Sequence, residues 1–289
     1  MNIPKSTAAA LVSARQEFHK ALLAGPLTST GGIPAIADGK NKASVGIARS
    51  ILLQLGCETE GVRASGQSSG SDFEIICLEF LQKTFPLMQH LRPGKWAIER
   101  VSSKRAGIAS FAQYAHIAAL VRVAKADKEL AAILGNAYTI TPDLVITRLP
   151  EPDAIINAQA LLVDDTVAKY APLRQANNQL PILHASISCK WTMRSDRAQN
   201  ARSEALNLIR NRKGHLPHTV VVTAEPLPSR LASLALGTGD IDCVYHFALP
   251  ELLVAADADK YSDAADLLHT MVQGKRLRDV ADLPLDLAV

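Results

Sequence analysis

ISCKWTMRSDRAQNARSE, residues 187–204, carries an apolar strand directly into a charged helix. Side chains alternate along the strand, which puts Ser188 and Lys190 on one face of the predicted sheet. Ser195 is a suitable N-cap for a helix that runs from 196 to about 212. The order of strand, lysine and basic helix indicates that charged groups gather at one end of a sheet.

The rest of the 289-residue chain also alternates between helical and strand patterns. Apolar residues make up 48% and aromatic residues 4% of it, a composition that suits α/β layers better than a β-sandwich. Helices are predicted at 7–23, 43–55, 72–91, 106–134, near 165–175, at 196–212 and over 250–289. Strands are predicted in KWAIERV, TITPDLVITR, PILHASISCKW, HTVVVTAE and CVYHFAL. Because no linker or repeat divides these elements, we expect one compact α/β domain with an N-terminal helical part.

Several classes of protein are disfavoured by what the sequence lacks. Its N-terminal apolar run is too short for a signal peptide, and no apolar stretch approaches the roughly 18 residues of a membrane span. We therefore expect a cytoplasmic protein without a membrane partner. Four scattered cysteines form no C-x-x-C pair, so neither structural zinc nor a disulfide framework is indicated. The sequence also lacks the motifs of phosphate-binding loops, zincins and serine hydrolases.

The positive charge is concentrated in one segment. The formal net charge of the chain is only +3, yet residues 190–213 contain seven basic residues and two acidic ones. Such a patch can bind phosphate groups without making the whole surface basic.

An aspartate and a lysine stand at the ends of two predicted strands. Asp143 follows Pro142 at the start of the apolar run LVITR, whereas Asp153 lies in the polar turn LPEPDA. If the Asp143 strand pairs beside the Lys190 strand, an aspartate, a serine and a lysine meet at one sheet edge. That set can bind Mg²⁺ and stabilise the charge that develops during phosphodiester hydrolysis. The alternative is that Asp143 only ends a strand and Lys190 reaches solvent.

The basic helix carries further candidates. Glu204 stands seven residues after Arg197 on one helical face and is either a metal ligand or the partner of a surface ion pair. Two arginines at a helix N-terminus oppose the helix dipole, so function explains them better than stability. Arginine can bind guanine bidentately and aspartate can accept from cytosine, so this cluster suits G·C pairs in a major groove. The cluster consists of Arg194, Asp196 and Arg197.

Two interpretations are possible for Glu74 as well. Ser71 and Glu74 have the spacing of a capping box at the start of the predicted 72–91 helix, which we favour. A carboxylate at a helix start can also face a metal site.

These features together resemble the NgoMIV branch of the type II restriction endonucleases. They are Asp143 in a Pro-Asp strand, Ser188-Cys189-Lys190, Arg194-Ser195-Asp196-Arg197 and Glu204. The resemblance runs from about residue 14 to the C-terminus. It is most specific in HASISCKWTMRSDRAQNARSE, RNRKG, VVVTAEP, PSR, ALGTG and IDCVYHFAL.

The resemblance implies a restriction-endonuclease-like PD-(D/E)XK core, in which helices flank a central mixed β-sheet. Residues 1–289 would form a single restriction-endonuclease domain. Its parts would be a helical N-terminal part to about residue 70, a catalytic and DNA-recognition core at about 71–250, and a helical C-terminal part at about 250–289.

By the same resemblance the chain would hydrolyse DNA with Mg²⁺. Asp143 and the main-chain carbonyl of Cys189 would bind the metal, and Lys190 would position or activate water. Ser188 stands where the usual acid-x-lysine motif has its acid, and Glu204 would take over the place of that acid in space. Glu74 and Glu204 would complete the acidic shell.

The resemblance also implies a DNA substrate and an assembly. Arg194, Asp196 and Arg197 would read an inner CCGG, while Asp38 and Arg230 suit the outer G·C pair. The family substrate is GCCGGC in duplex DNA, cut after the first G to leave a 5′ CCGG overhang. The implied assembly is a homotetramer of two back-to-back dimers, with a cognate cytosine methyltransferase that acts on the same site but need not bind.

Two other functions are compatible with parts of the pattern. A non-catalytic, sequence-specific DNA-binding regulator would use the 196–212 helix for recognition, but it needs neither Asp143 nor Lys190. A repair or junction nuclease with the same core would select DNA by structure instead of sequence.

Overall fold

The computed structural model describes residues 8–57, 66–101, 107–126, 129, 141–193, 195–237, 239–257 and 261–289. The side chains at 66, 67, 121, 124, 125 and 195–197 lie outside that description. Arg194, one of the candidate DNA-binding residues, also lies outside it.

A six-stranded mixed sheet forms the centre of the described structure, with strand order β3-β4-β5-β6-β7-β8. The strands are β3 Trp96–Arg100, β4 Leu144–Arg148, β5 Ile182–Lys190, β6 His218–Thr223, β7 Cys243–His246 and β8 Leu277–Asp279. The first three pair antiparallel, and β5 to β8 pair in parallel. A separate hairpin near the N-terminus joins β1 Ser29–Thr30 to β2 Ile33–Pro34.

Helices cover this sheet. They are α1 Ala10–Ala24, α2 Lys42–Gln54, α3 Gly66–Thr84, α4 Ile117–Ala126, α5 Asp153–Ile156, α6 Ser195–Asn211, α7 Pro228–Ala235, α8 Leu249–Ala256, α9 Ser262–Gln273 and α10 Leu283–Asp286. Short 3-10 turns lie at Phe85–Met88, Gly107–Ser110, Ala112–Tyr114 and Val280–Asp282. No helix in the described residues is both long and apolar enough to cross a bilayer.

Strands β4 and β6 are buried on both faces. Leu144 and Ile146 of β4 belong to the main core, whereas Val145 packs in a smaller cluster with Tyr114. The parallel strand β6 reads HTVVVT, and its β-branched residues suit a strand that is covered on both sides. This burial fixes the strand ends, and hence the side chains that follow them.

Each of the predicted segments KWAIERV, TITPDLVITR, PILHASISCKW, HTVVVTAE and CVYHFAL contains a strand, which in TITPDLVITR covers only Leu144–Arg148 and in HTVVVTAE only His218–Thr223. Likewise, the predicted helices at 7–23, 43–55 and 196–212 match α1, α2 and α6 to within a few residues. The condition under which Asp143 and Lys190 would meet is fulfilled, since their strands pair and Leu144 stands opposite Ile187 in an antiparallel ladder. Residues 106, 127, 128 and 130–134 of the predicted 106–134 helix lie outside the described residues.

Five predictions of secondary structure were wrong. The helix predicted at 106–134 is not continuous, because Gly107–Ser110 and Ala112–Tyr114 form 3-10 turns before α4 begins at Ile117. The loop predicted before residue 72 is helical from Gly66, because packing of α3 against α1, β3 and β5 overrides the weak helix propensity of its Gly and Ser residues. No helix forms near 165–175, where Arg174 donates hydrogen bonds to two backbone carbonyls and the chain forms turns. Asp153, predicted to lie in a polar turn, is the first residue of α5. The C-terminal segment contains a short edge strand, β8, as well as helices.

Candidate active site

Four strands bring charged residues to one edge of the sheet. β3 ends at Arg100, β4 begins directly after Asp143, and β5 ends at Lys190. Because β6 runs parallel to β5, Glu225 follows β6 at this same edge. The sheet therefore collects acidic and basic side chains whose positions are fixed by buried strands.

Asp143 is the centre of the cluster. Its Oδ2 accepts hydrogen bonds from the Cys189 backbone N–H at 2.8 Å and from Lys190 Nζ at 3.0 Å. Ser188 Oγ donates to the same oxygen at 3.4 Å. The side chains of Lys190 and Asp143 are only 16% and 21% exposed, so solvent weakens this ion pair less than it would a surface pair. The structure thus brings together the aspartate, serine and lysine that the sequence predicted to converge.

Glu204 of α6 interacts electrostatically with this pair. Burial raises the pKa of Glu204 above its ordinary value, Lys190 opposes that shift, and Asp143 adds to it. For Lys190, burial would lower the pKa, but Asp143 and Glu204 outweigh it and the pKa is raised. Lys190 therefore carries an ammonium at neutral pH, and its interaction with Glu204 agrees with a carboxylate that points toward the sheet.

The capping-box interpretation of Glu74 is wrong. Helix α3 begins at Gly66, so Ser71 and Glu74 both lie inside the helix instead of at its N-terminus. Arg100 from β3 holds them, with Nη2 2.6 Å from Glu74 Oε2 and 3.0 Å from Ser71 Oγ. Burial and then Asp143 raise the pKa of Glu74, while Arg100 and Lys190 lower it. Glu74 is thus electrically part of the Asp143 cluster.

The donor set fits a divalent cation in its chemistry. Asp143, Glu74 and Glu204 supply hard carboxylate oxygens, and Asp143 raises the pKa of both glutamates, a repulsion that a bound cation would relieve. In the described part of the chain no three metal-ligating side chains already stand close enough to hold an ion alone. Lys190 and Arg100 instead neutralise Asp143 and Glu74.

A cleft of about 550 Å³ lies between α6 and α7. Its polar lining comes from Gln199, Arg202, Ser229, Arg230 and Ser233. Asp196 and Arg197 lie in the first turn of α6, next to this cleft in the chain. The predicted DNA-binding residues of α6 and α7 therefore belong to neighbouring helices.

The two residues predicted for the outer base pair contact each other. Arg230 Nη2 donates to Asp38 Oδ2 at 2.5 Å, across a sequence separation of 192 residues. Both side chains are partly exposed. The structure brings these two residues together, and each currently neutralises the other.

Glu225 and Arg100 are site residues that sequence reasoning missed. Glu225 is completely buried. Burial raises its pKa, and hydrogen bonds from the Met193 and Leu227 backbone N–H groups oppose that shift. A signal did exist, because each of the two residues stands at the end of a predicted strand. What each one contacts depends on elements far away in sequence.

Known proteins are similar to this chain over most of its length. A model of the NgoMIV restriction enzyme family matches residues 18–289. The chain is 57% identical over 278 residues to the type II restriction enzyme NgoMIV of Neisseria gonorrhoeae, which covers 95% of this chain and 97% of that protein. A crystal structure of the type IIF restriction endonuclease Bse634I with cognate DNA matches 94% of this chain and 92% of its own, with 14% identity and a TM-score of 0.35.

Proposed function

This chain belongs to the NgoMIV restriction enzyme family and is a type II site-specific deoxyribonuclease, and from that premise we propose that it cuts duplex DNA at GCCGGC with Mg²⁺. Cleavage after the first G leaves a 5′ CCGG overhang. The chain acts as one restriction-endonuclease domain, in the cytoplasm, on sites that a cognate cytosine methyltransferase modifies. The observation that carries the proposal is the Asp143 carboxylate bound by Lys190 and the Cys189 N–H at the sheet edge beside α6.

Asp143 and the Cys189 main-chain carbonyl are the proposed Mg²⁺ ligands, with Glu74 and Glu204 completing the acidic shell. Bound Mg²⁺ supplies a Lewis acid for the phosphate and lowers the pKa of coordinated water. The support is that burial, and with it repulsion from Asp143, raises the pKa of both glutamates.

Lys190 and Ser188 serve the scissile phosphate in this proposal. Water attacks phosphorus, the bond from phosphorus to the 3′ oxygen breaks, and that oxygen takes up a proton, so the products are a 5′-phosphate and a 3′-hydroxyl. Because the pKa of Lys190 is raised, its ammonium is suited to positioning the water and stabilising negative charge on the phosphoryl oxygens. Ser188 leaves room for Glu204 to act as the acid, and its hydroxyl helps to orient Asp143.

Sequence recognition is assigned to α6, α7 and the loop that contains Asp38. Arg194, Asp196 and Arg197 read the inner CCGG, and Arg230 and Asp38 read the outer G·C pair. The mutual contact of Arg230 and Asp38 supports a shared target, because a guanidinium suits guanine and a carboxylate suits the cytosine amino group of the same pair. On DNA binding each exchanges the other for a base.

A homotetramer is the proposed assembly. The segment after β4 exposes apolar side chains, among them Leu161 at 80% and Tyr170 at 94%. Arg174 nevertheless fixes this segment, through a paired contact with Asp153 and bonds to two backbone carbonyls. A rigid surface with exposed leucines suits packing against a second copy.

Digestion of a plasmid that contains one GCCGGC site tests the function. We expect metal-dependent linearisation with 5′ CCGG ends, and neither EDTA-treated samples nor a matched plasmid without the site should be cut. Tight binding without cutting would favour a regulator. Cutting only at junctions or cruciforms would favour a structure-selective nuclease.

A further inference from the structure

Glu225 occupies the turn between β6 and α7 with none of its surface exposed. Its Oε2 accepts a hydrogen bond from the Met193 N–H at 2.7 Å, and its Oε1 accepts one from the Leu227 N–H at 3.1 Å. A buried carboxylate is costly unless both oxygens have partners. The two N–H groups meet that requirement, so the geometry of this turn depends on Glu225.

The partners of Glu225 lead to both halves of the proposed recognition surface. Met193 is the last described residue before Arg194, and α6 begins at Ser195. On the other side, Arg230 Nη1 lies 3.6 Å from Glu225 Oε2. One carboxylate therefore contacts the backbone that enters α6 and the guanidinium that projects from α7.

Arg230 divides its two terminal nitrogens between two carboxylates. Nη2 is bound to the partly exposed Asp38, whereas Nη1 faces the buried Glu225. When Nη2 exchanges Asp38 for a base, the contact through Nη1 can persist. Glu225 is thus placed to hold the guanidinium in one orientation while it changes partners.

We propose that Glu225 is a positioning residue for sequence recognition. It holds Arg230 in a fixed position relative to the residues that enter α6, so that the inner and outer base pairs are read in a fixed register. This inference rests on the proposed function. Bidentate recognition of guanine requires a fixed guanidinium plane, so loosening Arg230 weakens discrimination more than it weakens phosphate binding. A purely structural role would lower the amount of folded protein and leave discrimination unchanged.

The test is Glu225→Gln, which keeps the size of the side chain. Glutamine can accept from one of the two N–H groups, but its own NH₂ then faces the other donor, and the charge beside Arg230 is lost. Cleavage rate constants, kcat/KM, are measured with excess enzyme on a GCCGGC duplex, on ACCGGT, which alters the outer pair, and on GACGTC, which alters the inner sequence. Their ratios do not depend on the concentration of active protein.

We expect the preference for GCCGGC over ACCGGT to fall about tenfold, as for one weakened charge-assisted contact, and the preference over GACGTC to fall by about threefold. The control is Glu251→Gln, which removes a partly buried carboxylate that binds a different arginine, Arg15, at 2.5 Å. It should leave both ratios unchanged even where it lowers the melting temperature.

Unchanged ratios in Glu225→Gln would overturn the inference. If that variant does not fold, Glu225→Asp decides by the same ratios, because it keeps the charge but draws it back from Arg230 and Met193. A smaller fall in the outer-pair preference supports the inference, and wild-type ratios in a folded protein contradict it. A wild-type protein that leaves GCCGGC uncut would instead overturn the proposed function, so the two failures are distinguishable.

Discussion

Lys190 carries its positive charge among carboxylates that repel one another. Asp143 binds its ammonium directly, Glu204 acts on it through space, and Glu74 is held on the other side by Arg100. The raised pKa values of the two glutamates show that this arrangement is electrostatically unfavourable for their ionised forms. Carboxylates whose ionised forms are destabilised in this way are typical of a functional site that binds a cation, and not of an arrangement that stabilises the fold.

Glu204→Gln should therefore stabilise the metal-free protein. The folded-state pKa of Glu204 lies above its ordinary value, so the wild-type fold loses stability as pH rises from that ordinary value through the raised one. At about pH 8 in EDTA we expect the melting temperature of the variant to be roughly 2–4 °C higher. At acidic pH, where Glu204 is protonated, the difference should disappear.

The melting temperature also reports metal binding by Glu204. Added Mg²⁺ should raise it for the wild type and raise it less for Glu204→Gln, because the variant lacks one oxygen charge. A variant that is less stable than the wild type in EDTA at about pH 8 would contradict this description of Glu204.

Arg100 sets the charge of Glu74. Since Arg100 lowers the pKa of Glu74, its replacement in Arg100→Met should raise that pKa further. If ionised Glu74 supports cleavage, the acidic limb of the pH profile of kcat/KM moves to higher pH. We expect activity at about pH 6 to fall by about threefold or more, with near-normal activity at about pH 8.5.

The matched control for this prediction is Lys83→Met. Lys83 lies in the last turn of the same helix and pairs with Glu17 at 3.0 Å, but on an exposed surface. Its removal should leave the pH profile in place. A profile that is unmoved in Arg100→Met would mean that ionisation of Glu74 does not limit cleavage.

Strand β5 is the element that connects the core to the site. Near its start, Gln113 takes the place of a neighbouring strand, because its side chain donates to the Leu183 carbonyl at 2.7 Å and accepts from the Leu183 N–H at 2.9 Å. Parallel strand β6 pairs with β5 only from Ala185 onward. A buried glutamine thus supplies the missing ladder bonds.

Gln113→Ala should destabilise the protein by about 2–4 kcal/mol, since it leaves two buried backbone groups of β5 without partners. Urea unfolding measures the change. Gln89→Ala is the control, because Gln89 is exposed and its side chain donates a hydrogen bond to the Gly94 carbonyl. Equal stability of the two variants would show that the Gln113 contacts contribute little.

How far the sequence predicts these elements depends on where the determining contacts lie. Strands β4, β5 and β6 follow from local alternation and β-branched runs, and their adjacency brings Asp143 and Lys190 together as predicted. The start of α3 was missed because tertiary packing overrides its Gly and Ser residues. Edge strand β8, only three residues long, exists through its pairing with β7.

The site residues divide in the same way. Asp143, Ser188 and Lys190 come from two strands whose pairing could be anticipated. Glu225 and Arg100 have roles that are set by Met193, Arg230 and Glu74, all from other elements. No spacing rule in one sequence predicts such contacts, and the three-dimensional structure is needed to see them.

At the scale of the whole molecule, the exposed leucines of the segment after β4 should control assembly. We expect Leu161→Asp, in combination with Leu162→Asp, to convert the proposed tetramer into dimers by burying charge in an apolar contact. Sedimentation velocity gives the mass. Leu53→Asp, which alters an exposed residue of α2, should leave the assembly intact. A tetramer that survives the double substitution would place the interface elsewhere.

The residues proposed for cleavage and those proposed for recognition lie mostly on different elements. The ends of β4 and β5 carry Asp143 and Lys190, whereas α6 and α7 carry the proposed readers; α6 also carries Glu204. Removal of one function should therefore leave the other.

The most direct test compares wild type with Asp143→Asn on one GCCGGC duplex, measuring single-turnover cleavage with Mg²⁺ and equilibrium binding with competitor DNA. We predict that the variant loses cleavage by about 1,000-fold or more while it retains site-specific binding within about tenfold. Metal-dependent cleavage at the wild-type rate, or loss of specific binding in parallel with loss of cleavage, would contradict a site centred on Asp143.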